Sequence, residues 1–215
     1  MLTLHAYWRS SASYRVRIAL NLKALPYRIE PVHLVKDGGA QHSAAYRALN
    51  PQGRVPLLVD GAFTLGQSVA IFEYLEERHP TPALLPADPQ QRARVREACQ
   101  VLAADVQPLQ NISVLNYLRD RLAVDEPARN DWVRHWIEQG LTALEARVAD
   151  QPLTQAMFGD RVSYADCCLV PQVYAARRFG AEVARFPRLA ALATRLEALP
   201  AFAAAHPDRQ PDAQP

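Results

Sequence analysis

The sequence predicts an α+β N-terminal domain, with elements in the order β-α-β-α-β-β-α, followed by an all-α helical bundle. Three observations carry that prediction. Residues 1–79 alternate between short apolar runs and segments of helical period. Residues 80–88, Pro-Thr-Pro-Ala-Leu-Leu-Pro-Ala-Asp, are too broken by proline for a helix and too short for a free linker. Beyond them, apolar side chains recur at spacings of three and four. The expected division is 1–79, a connector at 80–88, and a helical domain at 89–215.

In order along the chain, residues 2–7 are expected as a strand and 13–22 as an amphipathic helix. A strand at 27–32, a weak helix near 43–48, a strand at 57–59, a turn at Asp60-Gly61, a strand at 63–65 and a helix from 68 to about 78 complete the first half. Such an order implies a small mixed sheet with helices against it. In the second half Val95, Cys99, Leu102, Val106 and Leu109 mark one helical stripe. Val133, Trp136, Ile137, Leu141, Leu144 and Val148 mark another, and Leu189, Leu192, Leu196 and Leu199 a third. Pro108 and Pro171 should bend the helices that contain them. Ser163-Tyr164-Ala165-Asp166 fits a capping box, with Val162 placed to staple against Cys167. Residues 206–215 hold too few apolar side chains for a core element and are expected as an irregular strap.

Composition narrows the function classes. The chain has 215 residues, 49% of them hydrophobic, enough for a real core. A net charge of +2 gives no electrostatic reason to expect nucleic acid or an anionic membrane as partner. No apolar run reaches the ~18–20 residues of a membrane span, and the N-terminus lacks the pattern of a signal peptide. Cys99, Cys167 and Cys168 sit in apolar helical surroundings and read as buried reduced thiols, which points to a cytoplasmic protein. The six histidines never fall at metal-ligand spacing, so no metal site is expected.

The segment Trp8-Arg9-Ser10-Ser11-Ala12-Ser13 is the most informative. It sets three hydroxyls and free backbone N–H groups at the positive end of a helix dipole, where a phosphate, carboxylate or thiolate is stabilised. Capping accounts for one of those serines, not for three. Val55-Pro56 before an apolar strand is a candidate cis peptide, which would expose the Val55 backbone to an extended peptide ligand. Gln67-Ser68 opens a helix directly after a strand, with Ser68 the natural N-cap and Gln67 unexplained by capping. Arg9, Arg177 and Arg178 are candidates to clamp an anionic substrate.

Taken together these motifs resemble the cytosolic glutathione transferases over essentially the whole chain. Residues 10–20, Ser-Ser-Ala-Ser-Tyr-Arg-Val-Arg-Ile-Ala-Leu, look like the zeta-class signature, with Ala12 where the family has Cys and Tyr14 where it has Trp. Ala48-Leu49-Asn50-Pro51, Tyr74-Leu75-Glu76-Glu77, residues 107–111, residues 169–173 and residues 206–212 are similar to the class as well. The resemblance implies a thioredoxin-like first domain, glutathione as cofactor, and homodimerisation with one N-terminal domain against the partner's helical domain. It assigns Gln67 and Ser68 to the γ-glutamyl end, Val55 to the cysteinyl backbone, Gln41 to an assisting role, and Ser10 or Ser11 to the sulfur. Gln107, Asn111 and Ser113 match cleft-lining positions of the family.

The activity implied is maleylacetoacetate isomerisation. The thiolate adds to the cis double bond of a dicarboxylic diketo acid, the bond rotates, and the thiolate leaves. A free thiol, pKa near 8.5, is a few per cent ionised at neutral pH; a drop of ~2 units would supply ~2.7 kcal/mol. Arg9 and Arg178, with Arg177 as the alternative, would meet the substrate's developing charge and carboxylates. Ala12 cannot form a thiolate, which bears on side activities rather than on isomerisation. Three rival readings remain: maleylpyruvate isomerisation, a general glutathione transferase or α-haloacid dehalogenase, and a non-catalytic thioredoxin-like binding module.

Overall fold

The computed structural model describes residues 1–152 and 155–214. Pro215, the end of the expected strap, and residues 153–154 of the expected helical domain lie outside them. Packing divides the chain into two compact units, residues 1–83 with those from Leu199 on, and residues 84–198.

The first unit is built on a four-stranded mixed sheet. Strands β1 (Leu2–Ala6), β2 (Tyr27–Pro31), β3 (Leu57–Asp60) and β4 (Phe63–Gly66) lie in the order β2-β1-β3-β4. β1 runs parallel to β2 and antiparallel to β3, and β3 pairs antiparallel with β4 around the Asp60-Gly61 turn. In β1 Leu2, Leu4 and Ala6 alternate into the core, as a strand buried on one face requires. The connecting helices are α1 (Ser11–Leu22), α2 (Ala44–Leu49) and α3 (Ser68–Arg78).

α1 departs from the amphipathic expectation, because every residue from Ser13 to Leu20 is buried, Arg15 and Arg17 included. The second unit supplies α4 (Pro89–Gln100), α5 (Ile112–Leu122), α6 (Glu126–Arg147), α7 (Tyr164–Arg178) and α8 (Pro187–Glu197), whereas α9 (Pro200–Ala205) packs on α1 in the first. Burial on that side is what encloses α1. Arg17 Nε donates to the Ala205 carbonyl at 3.0 Å and Asn21 Nδ2 to that of Ala201 at 2.9 Å. Among the described residues after α9, Pro207–Arg209 form a 3₁₀ turn and the rest are irregular.

The expected connector divides between Ala83 and Leu84 for an identifiable reason. Lys23, almost fully buried, pairs with Glu76 at 2.7 Å and donates to the carbonyls of His79 and Pro82, holding its first half. The second half is bound on the other side: Tyr164 N donates to the Leu84 carbonyl and Arg92 Nη1 to that of Pro86.

Within the second unit the helix carrying Pro108 ends in a π-helical stretch, Val101–Val106, and a 3₁₀ turn, Gln107–Gln110. Proline cannot donate to the preceding turn, so the ladder loses its register there. Gly140 of α6 lets this stretch approach, since a Cβ there would stand 2.2 Å from Val106 Cγ2. The capping box is present: Asp166, wholly buried, accepts from Ser163 N, Ser163 Oγ and Met157 N at 2.8–3.0 Å. Among the described residues no helix is long and apolar enough to cross a membrane.

Candidate functional site

The β1–α1 junction carries the first group of candidates. Ser10 is the N-cap of α1, its Oγ accepting from Ser13 N at 3.2 Å. Tyr14 N, in turn, donates to the Ser10 carbonyl at 2.9 Å. The N–H groups of Ser11 and Ala12 precede the first intrahelical bond, and they stand at the positive end of a twelve-residue helix. The Ser10 oxygen is occupied as an acceptor, which leaves its proton to donate. Arg9 lies over the Trp8 ring at 5.2 Å. An anion placed at this helix end meets the Ser10 hydroxyl and backbone donors.

The second group surrounds the start of α3. The structure corrects one expectation: Gln67, not Ser68, occupies the N-cap position, and it makes no side-chain cap bond. Its φ of 66° lies in the left-handed region, where a non-glycine residue costs of order 1–3 kcal/mol and is found at functional positions. The Gln67 amide instead donates to Gln52 Oε1 at 2.9 Å. Ser68 is therefore the first helical residue, nearly buried, with Oγ accepting from Arg15 Nη1 at 3.4 Å. Gln52 and Arg15 were not singled out from sequence; Gln52 sits one residue past the Asn50-Pro51 match, and Arg15 lies inside the signature segment.

Val55-Pro56 is cis, as expected, and Thr81-Pro82 is a second cis bond. The chain before Val55 is held where the Arg54 carbonyl accepts from both Tyr46 Oη at 2.7 Å and Asn50 Nδ2 at 2.8 Å. Gln41 is buried with Nε2 donating to the Leu34 carbonyl at 3.1 Å, while its Oε1 has no hydrogen-bond partner among the described residues. A buried acceptor left so costs about 1–3 kcal/mol. Gly39 makes room for it: φ is 95°, and a Cβ would meet the Gln41 amide at 2.4 Å. These residues suit a peptide with a free carboxylate and amide groups, and they fit glutathione.

In the second unit Asn111 caps α5, its Oδ1 accepting from Ser113 N at 3.0 Å and Ser113 Oγ at 2.8 Å. Gln107 opens the 3₁₀ turn, which a buried amide pair, Gln110 with Gln172, ties to α7. Arg177 and Arg178 both end α7 exposed. Arg177 pairs with Glu197 at 2.6 Å, and Arg178 stacks on Phe179 at 4.7 Å.

Residues 4–83 match the family of the glutathione S-transferase N-terminal domain, and residues 115–204 that of its C-terminal domain. The chain is 52% identical over 210 residues to the maleylacetoacetate isomerase of Pseudomonas aeruginosa, covering 97% of each. Among solved structures it is similar to the holo form of a maleyl pyruvate isomerase, a bacterial zeta-class glutathione S-transferase, with a TM-score of 0.95, 46% identity and coverage of 99% and 100%. It is also similar to the maleylacetoacetate isomerase of Anaeromyxobacter dehalogenans with dicarboxyethyl glutathione and citrate in its active site. There the TM-score is 0.87 and the identity 44%, over 100% of this chain and 94% of that one.

Proposed function

Because this chain belongs to the zeta class of the glutathione S-transferase family, we propose that it is a glutathione-dependent isomerase converting 4-maleylacetoacetate to 4-fumarylacetoacetate. The single observation that carries the mechanism is the α1 N-terminus, where an N-cap hydroxyl with its proton to give stands beside two backbone donors. Bound glutathione would supply the thiolate that adds to and leaves the substrate's double bond.

The protein's own part is to bind, orient and stabilise charge. Ser10 donates to the sulfur anion, the Ser11 and Ala12 N–H groups support it, and Ser11 is the neighbouring hydroxyl. Gln67 and Ser68 take the γ-glutamyl end, Val55 the cysteinyl backbone, and Gln41 the ligand N–H its Oε1 lacks. Gln107, Asn111 and Ser113 are assigned as further cofactor contacts. Arg9 and Arg178 are assigned to the substrate's carboxylates and developing charge, with Arg177 as the alternative. No side chain need store a proton through the cycle, in keeping with the absence of a His or Glu from these assignments.

We further propose a homodimer in the cytoplasm. Exposed Phe63, stacked on Tyr74 at 5.1 Å on the edge strand β4, supports the first, and three buried free cysteines support the second. The test of substrate is a comparison of kcat/KM for maleylacetoacetate and maleylpyruvate. A preference for the former upholds the assignment, and a preference for the latter moves the protein to the shorter diketo acid.

A further inference from the structure

Both hydrogen-bonding groups of the Trp8 peptide are held by side chains from elsewhere in the first unit. Trp8 N donates to Asp212 Oδ2 at 3.0 Å, across 204 positions of sequence, and its carbonyl accepts from Arg17 Nη2 at 2.9 Å. Ser10 N donates to the Tyr7 carbonyl at 3.0 Å, so residues 7–10 form a turn with Trp8 at its second position. Arg9 and Ser10 ride on that turn. From this geometry we infer that Asp212 is a positioning residue, its carboxylate fixing the Trp8 peptide and thereby the direction in which Arg9 and Ser10 are presented.

The tail has other anchors, which separates this role from simple attachment. Arg17, fully buried, also donates to the Ala205 carbonyl. Gln210 Nε2 donates to the carbonyls of Ala204 at 3.1 Å and His206 at 2.7 Å, folding the tail back on α9. The His206 ring meets Tyr14 edge-on at 6.1 Å. Loss of the Asp212 carboxylate therefore leaves the tail in place and releases the Trp8 N–H, and the turn keeps on its amide side only the longer bond from Tyr7 N to Ser13 Oγ at 3.5 Å among the described residues.

The kinetic arm of the test rests on the isomerase reading; the exchange arm does not. Asp212→Asn keeps an acceptor oxygen at the same reach, Asp212→Glu keeps the charge but moves the oxygen by a methylene, and Asp212→Ala removes both. D212N is expected to stay within about twofold of wild-type kcat, while D212E and D212A lose about tenfold or more, with a smaller change in KM for glutathione. Amide hydrogen exchange of the peptide covering residues 5–12 should quicken in D212E and D212A and not in D212N. Unchanged exchange and kcat in D212A, or full activity in D212E with loss in D212N, would overturn the assignment. If D212A does not fold, the Asn–Glu pair decides. If the wild-type protein isomerises nothing, the functional reading fails and the exchange comparison still tests Asp212.

Discussion

Replacing Ser10 and Ser11 by alanine, one at a time, separates two roles that the α1 junction combines. Ser10 Oγ accepts from Ser13 N at 3.2 Å, whereas Ser11 occupies the first helical position and makes no cap bond. Ser10→Ala removes an N-cap worth about 1 kcal/mol, which for a protein of this size lowers Tm by about 2–4 °C. Ser11→Ala should change stability by less than about 0.5 kcal/mol. On the functional side, a hydrogen bond to a charged group is worth about 1.5–3 kcal/mol, or about 1–2 pK units. Bound glutathione, titrated by its thiolate absorbance, should therefore ionise about 1–2 units higher in the Ser10→Ala protein, and turnover at neutral pH should fall about tenfold or more. The smaller shift belongs to Ser11→Ala. An unchanged thiol titration in Ser10→Ala, with the thermal shift observed, would refute the reasoning: Ser10 would then be a cap and nothing more.

Gly140→Ala forces a methyl group against Val106 Cγ2, 2.2 Å from the ideal Cβ, and the overpacking should cost about 1–3 kcal/mol, against about 1 kcal/mol returned by helical preference. Urea unfolding should show the net loss, and adding Val106→Ala should recover most of it; equal losses that simply add would contradict the contact. Gly39→Ala meets both a φ of 95° and the Gln41 amide, so glutathione affinity measured by calorimetry should weaken by about five- to tenfold, one hydrogen bond's worth. Affinity equal to wild type would remove Gln41 from the site. Burial pushes the Asp166 carboxyl up to about 6, against the bonds from Ser163 and Met157 that favour its charged form. The unfolded chain's Asp titrates near 3.9, so between the two values the native state holds a proton that the unfolded state releases. This group's contribution to stability thus falls as pH rises from about 4 to about 6, by about 3 kcal/mol in all. Asp166→Asn should abolish that slope, and a wild-type-minus-variant stability difference independent of pH would contradict it.

Much of the first unit was legible because strands and turns announce themselves locally. The alternation in β1, the Asp60-Gly61 turn and the start of α3 at residue 68 follow from neighbours in sequence. The cis Val55-Pro56 bond was suggested by proline ahead of an apolar strand, and the Ser10 cap by the serine cluster. What stayed hidden depends on distant partners. The expected amphipathic helix over 13–22 gives no sign that Arg15 and Arg17 are buried, which follows only because α9 packs on α1 and carbonyls of Tyr7, Trp8 and Ala205 receive Arg17. Glu145, on α6, caps α8 by accepting from Arg188 N and Leu189 N, and no residue beside α8 signals it. Ser68 looked like the cap of α3 because serine usually is one; the left-handed Gln67 displaces it by one position. Arg177 and Arg178 are neighbours in sequence, and their surroundings, Glu197 beside the first and Phe179 beneath the second, come from the fold.

The most direct test of the account follows the conversion of 4-maleylacetoacetate by the purified protein with glutathione, with S-methylglutathione, and with neither. Turnover should saturate with glutathione, be absent with the methylated tripeptide or without either, and leave glutathione recovered in full at the end. Glutathione consumed in step with substrate, or tight glutathione binding with no isomerisation, would contradict it.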